Sequence, residues 1–154
     1  ASSVEFAVKL ASKAIDAGVK IVPGLYVEDV IVREKAVRGV VVIWNALKLS
    51  KLHVDPVSFW SKHVVDATGH EALVVSIFAK KNKINFEVRG EGSMYAEKAE
   101  KIILENSKEI YPGLWVTGMC ANAVFGSYRM GPIFGGMILS GKKVAEEIIK
   151  KLKK

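Results

Sequence analysis

The sequence is poor in several residues that mark particular classes of protein. Cys120 is the single cysteine among 154 residues, so no disulfide can form within the chain, and a small disulfide-stapled secreted fold is excluded. This usage fits a reducing compartment, and we expect a cytoplasmic location. Low-complexity runs and repeats of fixed period are also lacking. Hydrophobic residues make up 50% of the chain, which predicts a single domain with its own core over residues 1–154.

Long uninterrupted hydrophobic runs are absent as well. The most apolar stretch, residues 113–141, is broken by Arg129 and Pro132 and contains many glycines. A membrane-spanning helix needs about 20 predominantly apolar residues, so we predict no membrane association. Glycines at this density indicate a backbone that lies close to a ligand.

The formal net charge is +7, which raises the question of a nucleic-acid partner. The excess lysines cluster at residues 80–81, 142–143 and 150–154, beside helix-like segments where they favour the helix dipole. They are not interleaved with aromatic residues, and we therefore predict no nucleic acid among the partners. A non-enzymatic basic module that binds nucleic acid remains an alternative interpretation.

Hydrophobic periodicity predicts a mixed α/β order of elements. We predict helices over 3–17, 71–81, 93–110 and 132–152. Strands are predicted over 19–24, 25–32, 37–47, 62–69 and 113–119, with the second and third joined as an antiparallel meander at 33–36. Residues 86–90 are predicted to be extended or loop. No strand–GxGxxG–helix unit occurs near the start, where a dinucleotide-binding fold places its phosphate loop.

Three glycine-containing patterns follow predicted strands or lead into a predicted helix. They are "VVDATGH" at 64–70, "GLWVTGMCANAV" at 113–124 and "GSYRMGPIFGGMILSGKKVAEEI" at 126–148. In this order they resemble the C-terminal half of a flavoprotein-like, glutathione-reductase-type dinucleotide-binding fold: a mixed parallel sheet plus an antiparallel meander, without the N-terminal phosphate-loop unit. An FAD-dependent oxidoreductase half-domain would share this pattern and is a second alternative.

The motifs "HVDP", "DATGHEA", "GM" and "YRMGPIFGGMILSGKKVAE" together resemble the thiamine thiazole synthase family, and the similarity runs through essentially the whole chain. The resemblance implies an enzyme that consumes NAD as a substrate, releases nicotinamide, and rearranges the remaining ADP-ribose and condenses it with glycine. Sulfur is then added, which gives an adenylated thiazole carboxylate, the thiazole precursor of thiamine. It further implies a homo-octamer whose sites are shared between neighbours. We expect roughly 100 further N-terminal residues with a GxGxxG turn.

By this resemblance, Asp55 and His70 match the family's iron ligands. Carboxylate oxygen and imidazole nitrogen suit Fe(II), and two protein ligands leave coordination positions open for substrate and sulfur. Glu71 follows His70 directly. It would either orient the imidazole through a hydrogen bond or remain solvated.

The resemblance also assigns residues to the organic substrates. Arg129 would clamp the glycine carboxylate, since a guanidinium can bind a carboxylate through two hydrogen bonds. Met119, ten residues earlier, would contact the ligand derived from the nucleotide. The complete set predicted to contact NAD or the intermediate is Val27, His53, Val54, Asp55 and Met119.

His53 bears on the source of sulfur. In the eukaryotic members of the family, the residue two before the aspartate is a cysteine that gives up its own sulfur. His53 cannot do so, which implies free sulfide as the donor and multiple turnovers. If the segment is extended, residues 53 and 55 share a face, and we predict a catalytic role for His53 in holding a proton or orienting sulfide. Cys120 is the other candidate donor, without an activating context.

Overall fold

The computed structural model describes residues 2–82 and 86–153, in which helices alternate with two small sheets. The bounds in chain order are α1 Ser3–Asp16, β1 Leu25–Arg33, β2 Ala36–Trp44, α2 Asn45–Ser50, β3 Val57–Trp60, β4 Val64–Asp66, a 3₁₀ turn Gly69–Glu71, α3 Leu73–Asn82, α4 Ala96–Asn106, β5 Lys108–Tyr111, β6 Leu114–Val116, α5 Met119–Phe125 and α6 Gly135–Leu152. The predicted α/β class is confirmed.

The first sheet is antiparallel, in the order β1-β2-β3. Its first two strands are rich in valine, which favours a pleated, half-buried surface. They are joined by Glu34 and Lys35, whose φ angles are 51° and 57°. Two left-handed residues between paired strands match the twist of an antiparallel hairpin. This confirms the meander predicted from residues 25–47.

The second sheet is mixed, in the order β4-β6-β5, with β4 parallel and β5 antiparallel to the central strand. All three residues of β6 are buried. The main core lies between the two sheets and helices α3 and α5, and its fully buried side chains include Val37, Val75, Phe78, Leu114, Val116 and Val124. The Val37 N–H donates to the Pro112 carbonyl at 2.8 Å, which joins the two sheets directly.

Helices α4 and α6 pack against each other beside the mixed sheet. The Lys143 ammonium donates to the Leu104 and Ser107 carbonyls at 2.6 and 2.9 Å. These carbonyls lie at the end of α4, where the last helical oxygens have no partner within the helix. At Gly136 a Cβ atom would lie only 3.0 Å from the Ile103 side chain, so glycine permits the close approach of the two helices.

Some predicted boundaries are wrong. Residues 19–24 form no strand: the side chains of Val19, Ile21 and Val22 are about half exposed, with relative accessibilities of 52%, 53% and 50%. The helix predicted over 93–110 ends at Asn106, because the next residues form β5 against β6. The strand predicted over 113–119 ends at Val116, and the last predicted helix begins at Gly135 rather than Pro132. The elements α2, β3, β5 and α5 were not predicted.

Among the helices of residues 2–82 and 86–153, none is both long and apolar enough to cross a lipid bilayer. Division of the chain into domains, and the dinucleotide-binding fold with its phosphate-loop unit, remain predictions.

Gly113→Ala tests the contact between the two sheets. Gly24 and Gly113 both have left-handed backbones, with φ of 78° and 80°, but only at Gly113 would a Cβ meet another residue, 2.3 Å from the Val37 carbonyl oxygen. We expect Gly24→Ala to lower the free energy of unfolding by about 1 kcal/mol, the cost of the left-handed conformation. Gly113→Ala should lower it by about 1–3 kcal/mol more because of overpacking. Urea unfolding measures both, and equal losses would contradict the proposed close contact.

Candidate functional site

A pocket opens where the two parallel strands of the mixed sheet end. Strands β4 and β6 run in the same direction, so the segments that follow them emerge at the same edge. In α/β proteins this edge, at the carboxyl ends of the strands, is the usual place for a ligand. The pocket has a volume of about 460 Å³ and is lined by Ala67, Gly69, His70, Thr117, Gly118, Met119, Gly131, Phe134 and Met137.

The turn that carries His70 is held by the buried carboxylate of Asp66. One of its oxygens accepts hydrogen bonds from the Thr68 N–H at 2.9 Å and the Thr68 hydroxyl at 2.7 Å. The other oxygen accepts the Val75 N–H at 2.9 Å, in the first turn of α3. The Thr68 hydroxyl oxygen in turn accepts the Leu73 N–H at 2.8 Å. These bonds satisfy free donors at the start of α3 and fix the backbone on both sides of His70.

The opposite wall of the pocket is held by the Ser140 hydroxyl on α6. It is fully buried, lies 2.9 Å from the Thr117 hydroxyl, and accepts the Gly118 N–H at 3.0 Å. Ser140 donates its own hydrogen to the Met137 carbonyl at 2.6 Å. The turn after β6 is therefore fastened to α6, and Met119 is held in the wall with only 5% exposure.

Glu91 joins two of the predicted site residues. Its carboxylate makes a very short contact with the His70 Nδ1 atom through one oxygen. The second oxygen lies 3.9 Å from the Arg129 Nε atom. The Glu91 side chain is only 13% exposed, whereas those of His70 and Arg129 are 46% and 54% exposed. One largely buried carboxylate thus contacts two more exposed groups, an imidazole and a guanidinium.

Glu91 is the residue that sequence reasoning missed. Glu71, the neighbour of His70 that was considered as its orienting partner, is exposed, and the structure pairs the imidazole with Glu91 instead. The signal in the sequence is weak. Glu91 is a single carboxylate between Gly90 and Gly92, in a segment without helical or strand periodicity.

The backbone around Glu91 is paired with the segment that carries Arg129. The Gly92 N–H donates to the Ser127 carbonyl at 2.8 Å, and the Arg129 N–H donates to the Ser93 carbonyl at 3.2 Å. The two segments therefore lie side by side in a fixed register, which brings the Glu91 and Arg129 side chains together.

The other predicted residues lie apart from this pocket. His53, Val54 and Asp55 are exposed in the loop between α2 and β3, and none of them lines it. Val27 is half-buried in β1, opposite Val42, and packs against the main core. Of the predicted residues, the structure thus gathers His70, Met119 and Arg129 around one pocket or its rim.

A single chain supplies some, but not all, of the side-chain donor atoms that a metal ion would need. Within the two described ranges, no three side chains of histidine, cysteine, aspartate or glutamate come together in an arrangement that would hold a metal ion. The pairing of His70 Nδ1 with a carboxylate nevertheless matches metal-binding histidines, which donate their other ring N–H to such a group. His70 would then offer its Nε2 atom, and Asp55 has an exposed carboxylate on a separate loop.

Cys120 lies in α5 behind the pocket wall and is fully buried. Burial raises the pKa of the Cys120 thiol far above its ordinary value, and the nearby Asp66 carboxylate raises it further by charge repulsion and by accepting the thiol hydrogen bond. Because the thiolate is the nucleophilic form of cysteine, we expect this thiol to react slowly in the folded protein.

A larger groove of about 720 Å³ lies between α1 and the start of α6. It is lined mainly by apolar side chains such as Phe6, Leu10, Phe134 and Ile138, and none of its lining residues titrates. The groove therefore offers none of the acid, base or metal-ligand groups that surround His70.

The pocket thus lies at the carboxyl ends of parallel strands, the edge where α/β proteins usually bind ligands, and His70 in its lining is linked through Glu91 to Arg129. The sequence profile of the Thi4 family matches residues 1–134. The chain therefore belongs to the Thi4 family.

Individual relatives support this assignment. The chain is 54% identical over 155 residues to a thiamine thiazole synthase of Methanococcus vannielii, covering 100% of this chain and 59% of the relative. It is 48% identical over 153 residues to one from Pyrococcus horikoshii, covering 99% and 60%. The crystal structure of Thermovibrio ammonificans THI4 matches with a TM-score of 0.96 and 47% identity, covering 100% of this chain and 61% of that one. The chain thus spans about 60% of the length of these relatives.

Thiol labelling tests the environment of Cys120. Because burial and Asp66 raise its pKa, we expect almost no reaction of the folded protein with iodoacetamide at pH 8. In urea the same thiol should react rapidly to one label per chain, measured by intact-protein mass spectrometry. Fast stoichiometric labelling of the folded protein would show that the thiol is accessible and activated.

Proposed function

We propose that the protein acts as a sulfide-dependent thiamine thiazole synthase. It would convert NAD, glycine and sulfide into the adenylated thiazole carboxylate, with release of nicotinamide. The observation that carries the proposal is the linkage of His70, which lines the pocket, through Glu91 to Arg129. A metal-binding imidazole and a carboxylate-binding guanidinium are two groups that this reaction needs. The names of relatives about 50% identical to the chain support the same activity.

In this proposal Asp55 and His70 hold Fe(II). A bound Fe(II) ion would supply a coordination site for sulfide and for oxygen or nitrogen atoms of the substrate. His70 is oriented by Glu91, which leaves its Nε2 atom for the metal. Asp55 is exposed and does not line the His70 pocket, which supports a site completed by a neighbouring subunit. We therefore also propose self-association, as a homo-octamer with shared sites.

The organic substrates are assigned to the remaining residues. Arg129 is half exposed beside the pocket, where its guanidinium would bind the carboxylate of glycine through two hydrogen bonds. Met119 would pack against the part of the ligand that derives from NAD, because its side chain forms the pocket wall. Val27, His53, Val54 and Asp55 are the other proposed contacts with NAD or the intermediate. The dinucleotide-binding fold is part of the proposal and rests on the glycine-containing patterns at 64–70, 113–124 and 126–148.

The source of sulfur is proposed to be free sulfide. His53 stands where a sulfur-donating cysteine would be expected, and its imidazole would hold a proton or orient sulfide beside Asp55. Cys120, the one cysteine of the sequence, is buried with a raised pKa and is poorly suited to donate sulfur. A cytoplasmic location, where the chain would meet NAD and sulfide, completes the proposal.

The proposed function is tested by turnover of the native, full-length protein under anaerobic conditions with NAD, glycine, Fe(II) and sulfide. We expect more than one thiazole product per protein chain, measured by mass spectrometry, and no loss of a sulfur atom from the polypeptide. Cys120→Ser should form product in the same way, since the buried thiol takes no part. Product limited to one per chain, with Cys120 converted to dehydroalanine, would instead make the protein a single-turnover sulfur donor.

The proposed metal ligands are tested separately by anaerobic Fe(II) titration. His70→Ala and Asp55→Ala should each lose stoichiometric binding, because each removes one of the two protein donors. His63→Gln serves as a control. His63 accepts a hydrogen bond from the Trp115 Nε1 atom at 3.2 Å and does not line the pocket, so binding should be unchanged. Normal Fe(II) binding by both alanine variants would refute the ligand assignment.

A further inference from the structure

We propose that Glu91 is a positioning residue that fixes the His70 imidazole for metal binding and ties it to Arg129. This inference rests on the proposed function, in which His70 binds the metal ion, and it adds the group that sets the geometry of that ligand. No residue of the predicted site has this role, since Glu71 is exposed and the imidazole is paired with Glu91.

The contact with His70 decides which ring nitrogen faces the metal. A carboxylate is an acceptor, so it holds the proton on Nδ1 and leaves the lone pair on Nε2. The same contact restrains rotation of the ring, whose side chain is 46% exposed and would otherwise be free to turn in solvent. A carboxylate in this position also makes the imidazole a stronger ligand.

The contact with Arg129 uses the second Glu91 oxygen. That oxygen lies 3.9 Å from Nε, the atom of the guanidinium nearest to the main chain. One carboxylate therefore stands between the proposed metal ligand and the proposed glycine ligand, and the spacing of the two depends on it.

Glu91 is well placed to act as a fixed support. It is only 13% exposed, and the backbone on its C-terminal side is bonded to the Arg129 segment through Gly92 and Ser93. Gly90 on its other side has a left-handed backbone with φ of 78°, a conformation that favours glycine. The backbone pairing therefore fixes the main chain from which the Glu91 side chain reaches His70 and Arg129.

The role of Glu91 is tested by the affinity of the native protein for Fe(II) alone, measured by anaerobic equilibrium dialysis without NAD or glycine. Glu91→Ala should weaken Fe(II) binding about 10–100-fold, the usual effect of removing such a supporting carboxylate. Glu91→Gln should weaken it less than Glu91→Ala, because the amide oxygen can still accept the Nδ1 hydrogen. Glu71→Gln, which changes the exposed carboxylate next to His70, should bind as the unchanged protein does.

Three results would overturn the inference. Unchanged Fe(II) affinity in Glu91→Ala, with the variant shown to be folded by circular dichroism, would leave Glu91 with no role in positioning. Complete loss of binding in Glu91→Gln, equal to that of His70→Ala, would make Glu91 a metal ligand instead. Full Fe(II) binding by His70→Ala would refute the metal site itself and with it this inference. Because the assay needs no turnover, failure to form thiazole would count against the proposed function alone.

Discussion

The buried carboxylate of Asp66 is the group on which the architecture of the site depends. It ends strand β4 in the mixed sheet and accepts hydrogen bonds from Thr68 and Val75. Burying a carboxylate costs free energy unless its oxygens accept hydrogen bonds. These bonds therefore stabilise one particular turn between β4 and α3. His70 lies within that turn, so its position depends on the hydrogen bonds of a carboxylate that does not itself line the pocket. Together with burial, the same group raises the pKa of the Cys120 thiol, which disfavours its nucleophilic thiolate form.

Much of the fold follows from local sequence patterns, and the exceptions have a common cause. Helix α1 and the β1–β2 hairpin were predicted because their periodicity and turn residues are local. Strand β5 was missed because its structure depends on pairing with β6, which is a tertiary contact that overrides helix propensity. The short α5 was missed because it is bounded by Gly118 and Gly126 and follows directly on a buried strand.

The site shows the same limit. His70, Met119 and Arg129 were found through their motifs, and the structure gathers them at one pocket or its rim. Glu91 is 21 residues from His70 in the sequence and has no motif of its own. Glu91 lies close to Arg129 because its backbone segment pairs with the segment that carries Arg129. No local sequence pattern predicts this pairing. Asp55 and His53 lie on an exposed loop. In the proposed oligomer, this loop of one subunit would meet His70 of a neighbouring subunit.

An anaerobic crystal structure of the native protein with Fe(II) and glycine, with anomalous scattering measured at the iron edge, tests the central claim most directly. The account predicts an iron peak within bonding distance of His70 Nε2 and an Asp55 carboxylate. It also predicts Glu91 on Nδ1 and the glycine carboxylate on Arg129. An iron peak remote from His70, or one bound to Nδ1 with Glu91 displaced, would contradict it.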